Sequence, residues 1–343
     1  MKVSGQPEHG GRLNAAAERW GIPLGQWLDL STGINPFAWP LPDVPAEVWQ
    51  RLPEPDDGLE QTVLAWAGAP DVASCVPVPG SQAAIMALPG LRGPSRVGVP
   101  APGYLEHGHW WARAGHQVMG LSPQQVAGGY ERWLDDLDVL VWINPNNPDG
   151  HTVPPERLIG WCKRLHERGG WLVVDEAFAD GCDQISLAPF AGMPGLVVMR
   201  SLGKFFGLAG LRAGAVLTDD RIAQALAEAL GPWPLSGPAR YVMARALADE
   251  EWQSSTAQRL RANSARLHRL LAHHGLADSS GTLLFRYLPH PDARSIADGL
   301  ASQGILVRYF DSPPALRLGL PGHEAQWQKL ERALSGLSNV IDQ

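Results

Sequence analysis

A chain of 343 residues, 45% hydrophobic and 18% charged, is long enough for a large domain with a smaller companion and apolar enough to bury a core. A net charge of -7 and a pI near 5.9 exclude a broad nucleic-acid-binding face, while leaving room for a small basic pocket around an anionic ligand. The cysteines Cys75, Cys162 and Cys182 form neither a CxxC pair nor a disulfide framework, which suits a reducing cytoplasm.

In chain order, the first stretch, "MKVSGQPEHGGRLNAAAERWG", is polar and lacks an apolar signal core, and no later run has the length of a membrane span. Residues 1–50 are irregular and proline-rich and read as an N-terminal arm that contributes to a small domain. From about 75 to 218, short apolar runs alternate with helical patterns. Strands are predicted at 97–99, 139–144, 171–176, 195–200 and 213–218, and helices near 81–91, 104–114, 124–134 and 155–168. That alternation predicts an α/β domain over 51–235, with a mostly parallel central sheet covered by helices. After 235 come a long helical stretch near 239–273, "TLLFRYL", a helix near 292–302, "ILVRYF", "ALRLGL" and a helix from about 323. This reads as a smaller α+β domain over 236–343. The eleven histidines include no HExxH, and "HGHWW" at 107–111 stands too isolated for a metal site, so no metal is expected.

Ligands on such sheets gather at the carboxyl ends of the strands. "NPNNPDG" at 144–150, "VVDEAF" at 173–178 and "MRSLGK" at 199–204 all fall there. Gly80 and Ser81 in "VPGSQAAIMAL" open a predicted helix, whose free N–H groups suit a phosphate, with an ordinary N-cap as the alternative. Asn147 sits where a turn alone would explain it, yet its amide is placed to enter the cleft. Asp175 ends an apolar strand, where a carboxylate needs a cation or donor; a protonated pyridine nitrogen and a structural ion pair both qualify. In "RSLGKFFGLAGLRAG", Lys204 is an amine in an apolar, glycine-rich setting that favours its nucleophilic form. Ser201 and Arg212 flank it with groups that hold a phosphate. Together these parts describe a site for pyridoxal 5′-phosphate.

The series "GSQ…NPNNPDG…DEAF…SLGKFFGLAGLRAG" resembles the fold-type I pyridoxal-phosphate enzymes of the aspartate aminotransferase superfamily. The resemblance implies that Lys204 links to the cofactor aldehyde, Asp175 pairs with the ring nitrogen and Asn147 bonds the ring oxygen. Gly80, Ser81, the Gln82 amide, Ser201 and Arg212 would hold the phosphate, and Tyr104 would stack on the ring. More narrowly, "EHGGRLNAAAERWGIPLGQWLDLSTGINPFAWP" at 8–40 is similar to the N-terminus of L-threonine-O-3-phosphate decarboxylases of cobalamin biosynthesis, which share His-Gly-Gly and Asp-x-Ser-x-x-Ile-Asn-Pro. Histidinol-phosphate aminotransferases share the Asn-Pro turn and typically lack the His-Gly-Gly. The resemblance implies that His9, Gly10 and Asn35 contact the substrate. Arg317 in "ALRLGL" matches the superfamily's substrate-anion arginine, and Arg308 in "ILVRYF" is a second candidate.

The implied reaction is loss of CO2 from a small phosphorylated amino acid, giving (R)-1-amino-2-propanol O-2-phosphate. Asp175 would keep the ring nitrogen protonated, and Lys204 would return a proton to the carbon that lost CO2. The implied protein is a cytoplasmic homodimer. An aminotransferase of the histidinol-phosphate type, using the same cofactor residues, and a non-catalytic module on this fold are the alternatives. Three positions depart from the superfamily pattern. Phe178 stands where a tyrosine is common, Gly203 removes a hydroxyl beside the lysine, and 52–60 lacks the tyrosine that dimers often lend to the neighbouring phosphate.

Overall fold

The computed structural model describes residues 7, 9–127, 131–182, 184–337 and 341. It divides into two compact units, one of Trp39–Asn147 with His151–Ser254, the other of Met1–Ala38, Pro148–Gly150 and Ser255–Gln343. The sequence texture changes at 50/51 and 235/236, whereas the units change over at Ala38/Trp39 and Ser254/Ser255. Packing accounts for the later crossover. Arg240, on the helix Gly237–Ala248, donates to Asp57 at 2.7 Å and to Glu60 at 3.0 Å, tying that helix to the start of Leu59–Ala67.

The unit containing Trp39–Asn147 is built on seven strands: β1 Ser74–Val78, β2 Arg96–Pro100, β3 Gln117–Leu121, β4 Val139–Ile143, β5 Trp171–Asp175, β6 Leu196–Ser201 and β7 Gly214–Thr218. Their order across the sheet is β1-β7-β6-β5-β4-β2-β3. Every ladder from β3 to β6 is parallel, and β7 runs antiparallel to both β6 and β1. The reversal at β7 follows from its connection. No crossover helix intervenes after Ser201, only the 3-10 turn Ala209–Leu211, so the chain comes back beside the strand it left.

The predicted strands are the continuous apolar runs. Every residue of β4, β5 and β7 is buried, as expected of strands covered on both faces. The helix Pro155–His166 turns Leu158, Trp161, Cys162 and Leu165 inward at helical spacing. Each such large apolar side chain contributes about 1.5–3 kcal/mol on burial. The two unpredicted strands, β1 and β3, lie at the sheet's edges. "SCVPV" carries a proline and "QVMGL" a glycine, which edge positions tolerate and periodicity does not reveal.

The predicted helix at 81–91 is an α-helix Ser81–Ala87 running into a 3-10 turn Leu88–Leu91, tightened around Pro89 and Gly90. The one at 104–114 is Leu105–Arg113. The one near 124–134 appears as Pro123–Ala127 and Arg132–Asp135, with residues 128–130 outside the described residues. The stretch 239–273 is two helices, Gly237–Ala248 and Glu250–His273. Asp249 breaks it by accepting the Trp252 N–H at 3.0 Å and so capping the second helix.

In the other unit, β8 Ser280–Gly281, β9 Phe285–Pro289, β10 Arg308–Asp311 and β11 Pro314–Gly319 form an antiparallel sheet ordered β10-β11-β9-β8. Leu28–Asp29 pairs in parallel with Ile305–Leu306, so the single run "ILVRYF" serves two sheets. The predicted helices are Ala293–Ala301 and Glu324–Ser335. Among the described residues, no helix is long and apolar enough to cross a membrane.

Candidate active site

The carboxyl ends of β4, β5 and β6 open onto a cavity of about 150 Å³. Asp175, the last residue of β5, and Ser201, the last of β6, line it, with Lys204 three residues further on and Asn147 in the loop after β4. Ser81, Gln82, Tyr104 and Arg212 complete the polar lining. Cofactor residues expected from the sequence, 131 positions apart between Ser81 and Arg212, thus meet in one hollow.

At one end the lining is a cradle. Gly80 has φ +75°, and a Cβ there would lie 2.5 Å from the Arg212 guanidinium, so only glycine lets the arginine in this close. Arg212 is itself left-handed, with φ 54°, and donates to the Ala209 carbonyl at 3.2 Å. The Ser81 hydroxyl is buried and, among the described residues, has no hydrogen-bond partner. Left so, a buried polar group costs about 1–3 kcal/mol. A ligand oxygen at the cradle would offset that cost. Hydroxyl, helix-start N–H groups and guanidinium are the donors that a phosphate takes. Gly80 itself does not line the cavity; it shapes the wall through Arg212.

Asp175, also in the lining, is buried at 4% exposure. Its Oδ1 accepts the Ala177 N–H at 3.0 Å, and its Oδ2 lies 2.9 Å from Nε2 of the equally buried His107. His107 belongs to the "HGHWW" stretch, whose isolation in the sequence points to no role for it. The available signal was its spacing: three residues after Tyr104 on Leu105–Arg113, it shares that residue's helix face. The Lys204 ammonium stands 5.3 Å from the centroid of Phe178, so the ring found where a tyrosine is common faces the amine. Gly203 is tightly placed, since a Cβ there would meet Ala209 Cα at 3.3 Å and Ser201 Oγ at 3.4 Å.

The residues expected to contact substrate all fall in the other unit. There Ser31 sits against two of them, Gly10 and Arg317. Its hydroxyl donates to Asp29 at 2.6 Å and accepts the Gly11 N–H at 2.7 Å, while its carbonyl accepts from Arg317 at 2.9 Å. A Cβ on Gly10 would collide with that same carbonyl, which explains the glycine after His9. His9 is exposed; Asn35 is buried, and its side-chain oxygen accepts the Phe37 N–H at 2.8 Å. Arg308 and Arg317 are paired across β10 and β11. Burial, with the neighbouring Arg308 charge, lowers Arg317 to about 10, leaving it a cation at neutral pH. Neither Asp29 nor Ser31 was singled out from the sequence as a site residue.

The aminotransferase class I and II profile matches residues 26–337. The chain belongs to the class I and II aminotransferase family. Within this family it is 51% identical over 329 residues to a threonine-phosphate decarboxylase of Pseudomonas aeruginosa, covering 96% of this chain and 97% of the relative. It is 34% identical over 194 residues to a histidinol-phosphate aminotransferase of Sodalis glossinidius, covering 53% of this chain and 52% of that one. Among solved structures, the histidinol-phosphate aminotransferase of Sinorhizobium meliloti in complex with pyridoxal-5′-phosphate superposes with a TM-score of 0.83. At 20% identity over 99% of this chain and 97% of that one, it speaks for the aminotransferase fold alone. The fold class expected from the sequence, fold-type I with a mostly parallel sheet, is therefore the one found.

Proposed function

We propose that this protein is a pyridoxal 5′-phosphate-dependent decarboxylase of L-threonine O-3-phosphate, releasing CO2 and leaving (R)-1-amino-2-propanol O-2-phosphate for cobalamin assembly. The observation that carries the reading is the 51% identity with a threonine-phosphate decarboxylase along almost the whole chain, set beside the half-length match to a histidinol-phosphate aminotransferase. The orphaned Ser81 hydroxyl and the Gly80–Arg212 approach fit the cofactor's phosphate. When bound, the cofactor supplies an electron sink for the pair left behind by the departing CO2.

The chain's own groups do the rest. Ser81, Ser201 and Arg212 would hold the phosphate, and Tyr104 would stack on the ring. Asn147 would donate to the ring oxygen. Asp175, steadied by His107 and the Ala177 N–H, keeps a proton on the ring nitrogen. Lys204 carries the amine that would hold the cofactor aldehyde. Once the carbon–carboxylate bond has broken, it returns a proton to the same carbon. Arg317 and Arg308 hold the substrate's anions, as planar guanidinium groups bind carboxylate and phosphate alike.

The test is incubation of the holoenzyme with L-threonine phosphate and no keto acid. Stoichiometric CO2 is the expected result. Transamination of histidinol phosphate without CO2 release would replace this reading with the aminotransferase one. In the same assay, His9→Ala should weaken L-threonine phosphate about ten- to hundredfold, the loss of a charged hydrogen bond, with cofactor affinity unchanged. An unaltered KM would remove His9 from the phosphate site. Of the two arginines, alanine at the carboxylate partner should raise the share of transamination, and at the phosphate partner should raise KM.

The protein is proposed to act as a cytoplasmic homodimer. Trp49, Leu52 and Trp233 are exposed in one unit, and Trp233 lines a hollow of about 320 Å³ with Pro53 and Pro55, an apolar surface that a second copy would cover. Sedimentation showing an active monomer at assay concentration would rule the dimer out.

A further inference from the structure

The wall that carries Gln82 and Tyr104 has a third member outside the cavity lining. Glu106 follows Tyr104 by two residues on Leu105–Arg113 and is only 7% exposed. A buried carboxylate is costly unless hydrogen bonds reach it. Here Oε2 accepts from Gln82 Nε2 at 2.9 Å and from Trp110 Nε1, one helical turn on, at 2.8 Å.

A glutamine side chain has one donating and one accepting end. With the Gln82 NH2 drawn to the carboxylate, its carbonyl faces Tyr104, whose hydroxyl donates to Gln82 Oε1 at 3.3 Å. A flipped amide would set two acceptor oxygens, those of Gln82 and Glu106, against each other. Glu106 thereby decides which way the amide points, and the amide decides where the phenol's hydrogen goes.

We propose that Glu106 is a positioning residue that, through the Gln82 side chain, anchors the Tyr104 hydroxyl and so sets the plane in which that ring meets bound cofactor. The inference rests on the cofactor site of the proposed function, and not on which substrate bond breaks there. Burial first, then the charges of Glu106 and Asp175, push the Tyr104 phenol up to about 12, so it remains a donor throughout the neutral range.

The test is a double-mutant cycle of Glu106→Ala and Gln82→Ala, the latter keeping the Gln82 backbone N–H. Cofactor affinity is read on apoprotein by quenching of tryptophan fluorescence with pyridoxal 5′-phosphate, beside the visible absorbance of the loaded enzyme and kcat and KM for L-threonine phosphate. Each single variant should weaken cofactor roughly two- to tenfold, the range of one neutral hydrogen bond. The double variant should match Gln82→Ala alone. Losses that multiply would mean Glu106 does not act through Gln82 and would overturn the proposal. Glu106→Gln, which still offers an acceptor oxygen to both donors, should recover part of the affinity and restore the absorbance. If it does no better than Glu106→Ala, the assigned role is wrong. Failure to release CO2 would sink the decarboxylase reading and leave the cofactor cycle intact. A multiplicative cycle with normal CO2 release would sink only the role of Glu106.

Discussion

Lys204→Ala is expected to abolish the borohydride-fixed attachment of pyridoxal 5′-phosphate and bring CO2 release to background, with the fold intact. The loop that presents the lysine is held by its neighbours. Leu202 donates its N–H to Ala213 at 3.1 Å, and Phe206 stacks on Trp252 with ring centroids 5.6 Å apart. Leu202, Phe205 and Phe206 are all buried, so trimming Lys204 removes an amine rather than a core contact. Proton transfer by a positioned side chain alone contributes about 10²–10⁴-fold, and the cofactor link is lost besides. The experiment is clean because the chain has few lysines: Lys2, Lys163, Lys204 and Lys329. Lys329 already donates to the carbonyls of Gln26 and Gly304, at 2.6 and 3.0 Å. Reduction followed by peptide mapping should place the label on Lys204. A label on Lys163 or Lys329 would refute the assignment.

Lys204 also shows why this site was legible in sequence. The sheet's central strands are largely apolar runs, and two of them, β5 and β6, end in a polar residue that lines the cavity. Asp175 after "WLVV" and Ser201 after "LVVMR" announce themselves in that way. Edge strands β1 and β3 carry proline or glycine and half-exposed residues, so their period is lost. The contacts that the sequence does not reveal are long-range. Arg317 and Ser31 are 286 residues apart, and His107 and Asp175 are 68 apart. No local pattern encodes such a pairing. The unit boundary at Ser254/Ser255 is hidden similarly, because it depends on Arg240 finding Asp57 and Glu60.

The pairing of His107 with Asp175 sharpens the second large expectation, that Asp175→Asn keeps the cofactor but cuts turnover by about 10²–10³-fold or more, the scale of losing a preorganised electrostatic partner. Cofactor should be retained, since Ser81, Ser201 and Arg212, the proposed phosphate holders, line the cavity and the substitution leaves them untouched. An asparagine would keep its oxygen on the Ala177 N–H, which turns the amide nitrogen toward His107 Nε2 and requires that nitrogen to accept. The geometry thus survives while the negative charge goes. A neutral amide holds no proton on the ring nitrogen, so the electron sink weakens although the ring stays seated. Dialysis followed by visible absorbance tests retention, and single-turnover CO2 release tests the chemistry. His107→Asn should fall between wild type and Asp175→Asn, because it loosens the carboxylate without neutralising it. Near-normal turnover in Asp175→Asn would mean that another group holds the ring nitrogen's proton, and that the carboxylate ending β5 serves only to seat His107.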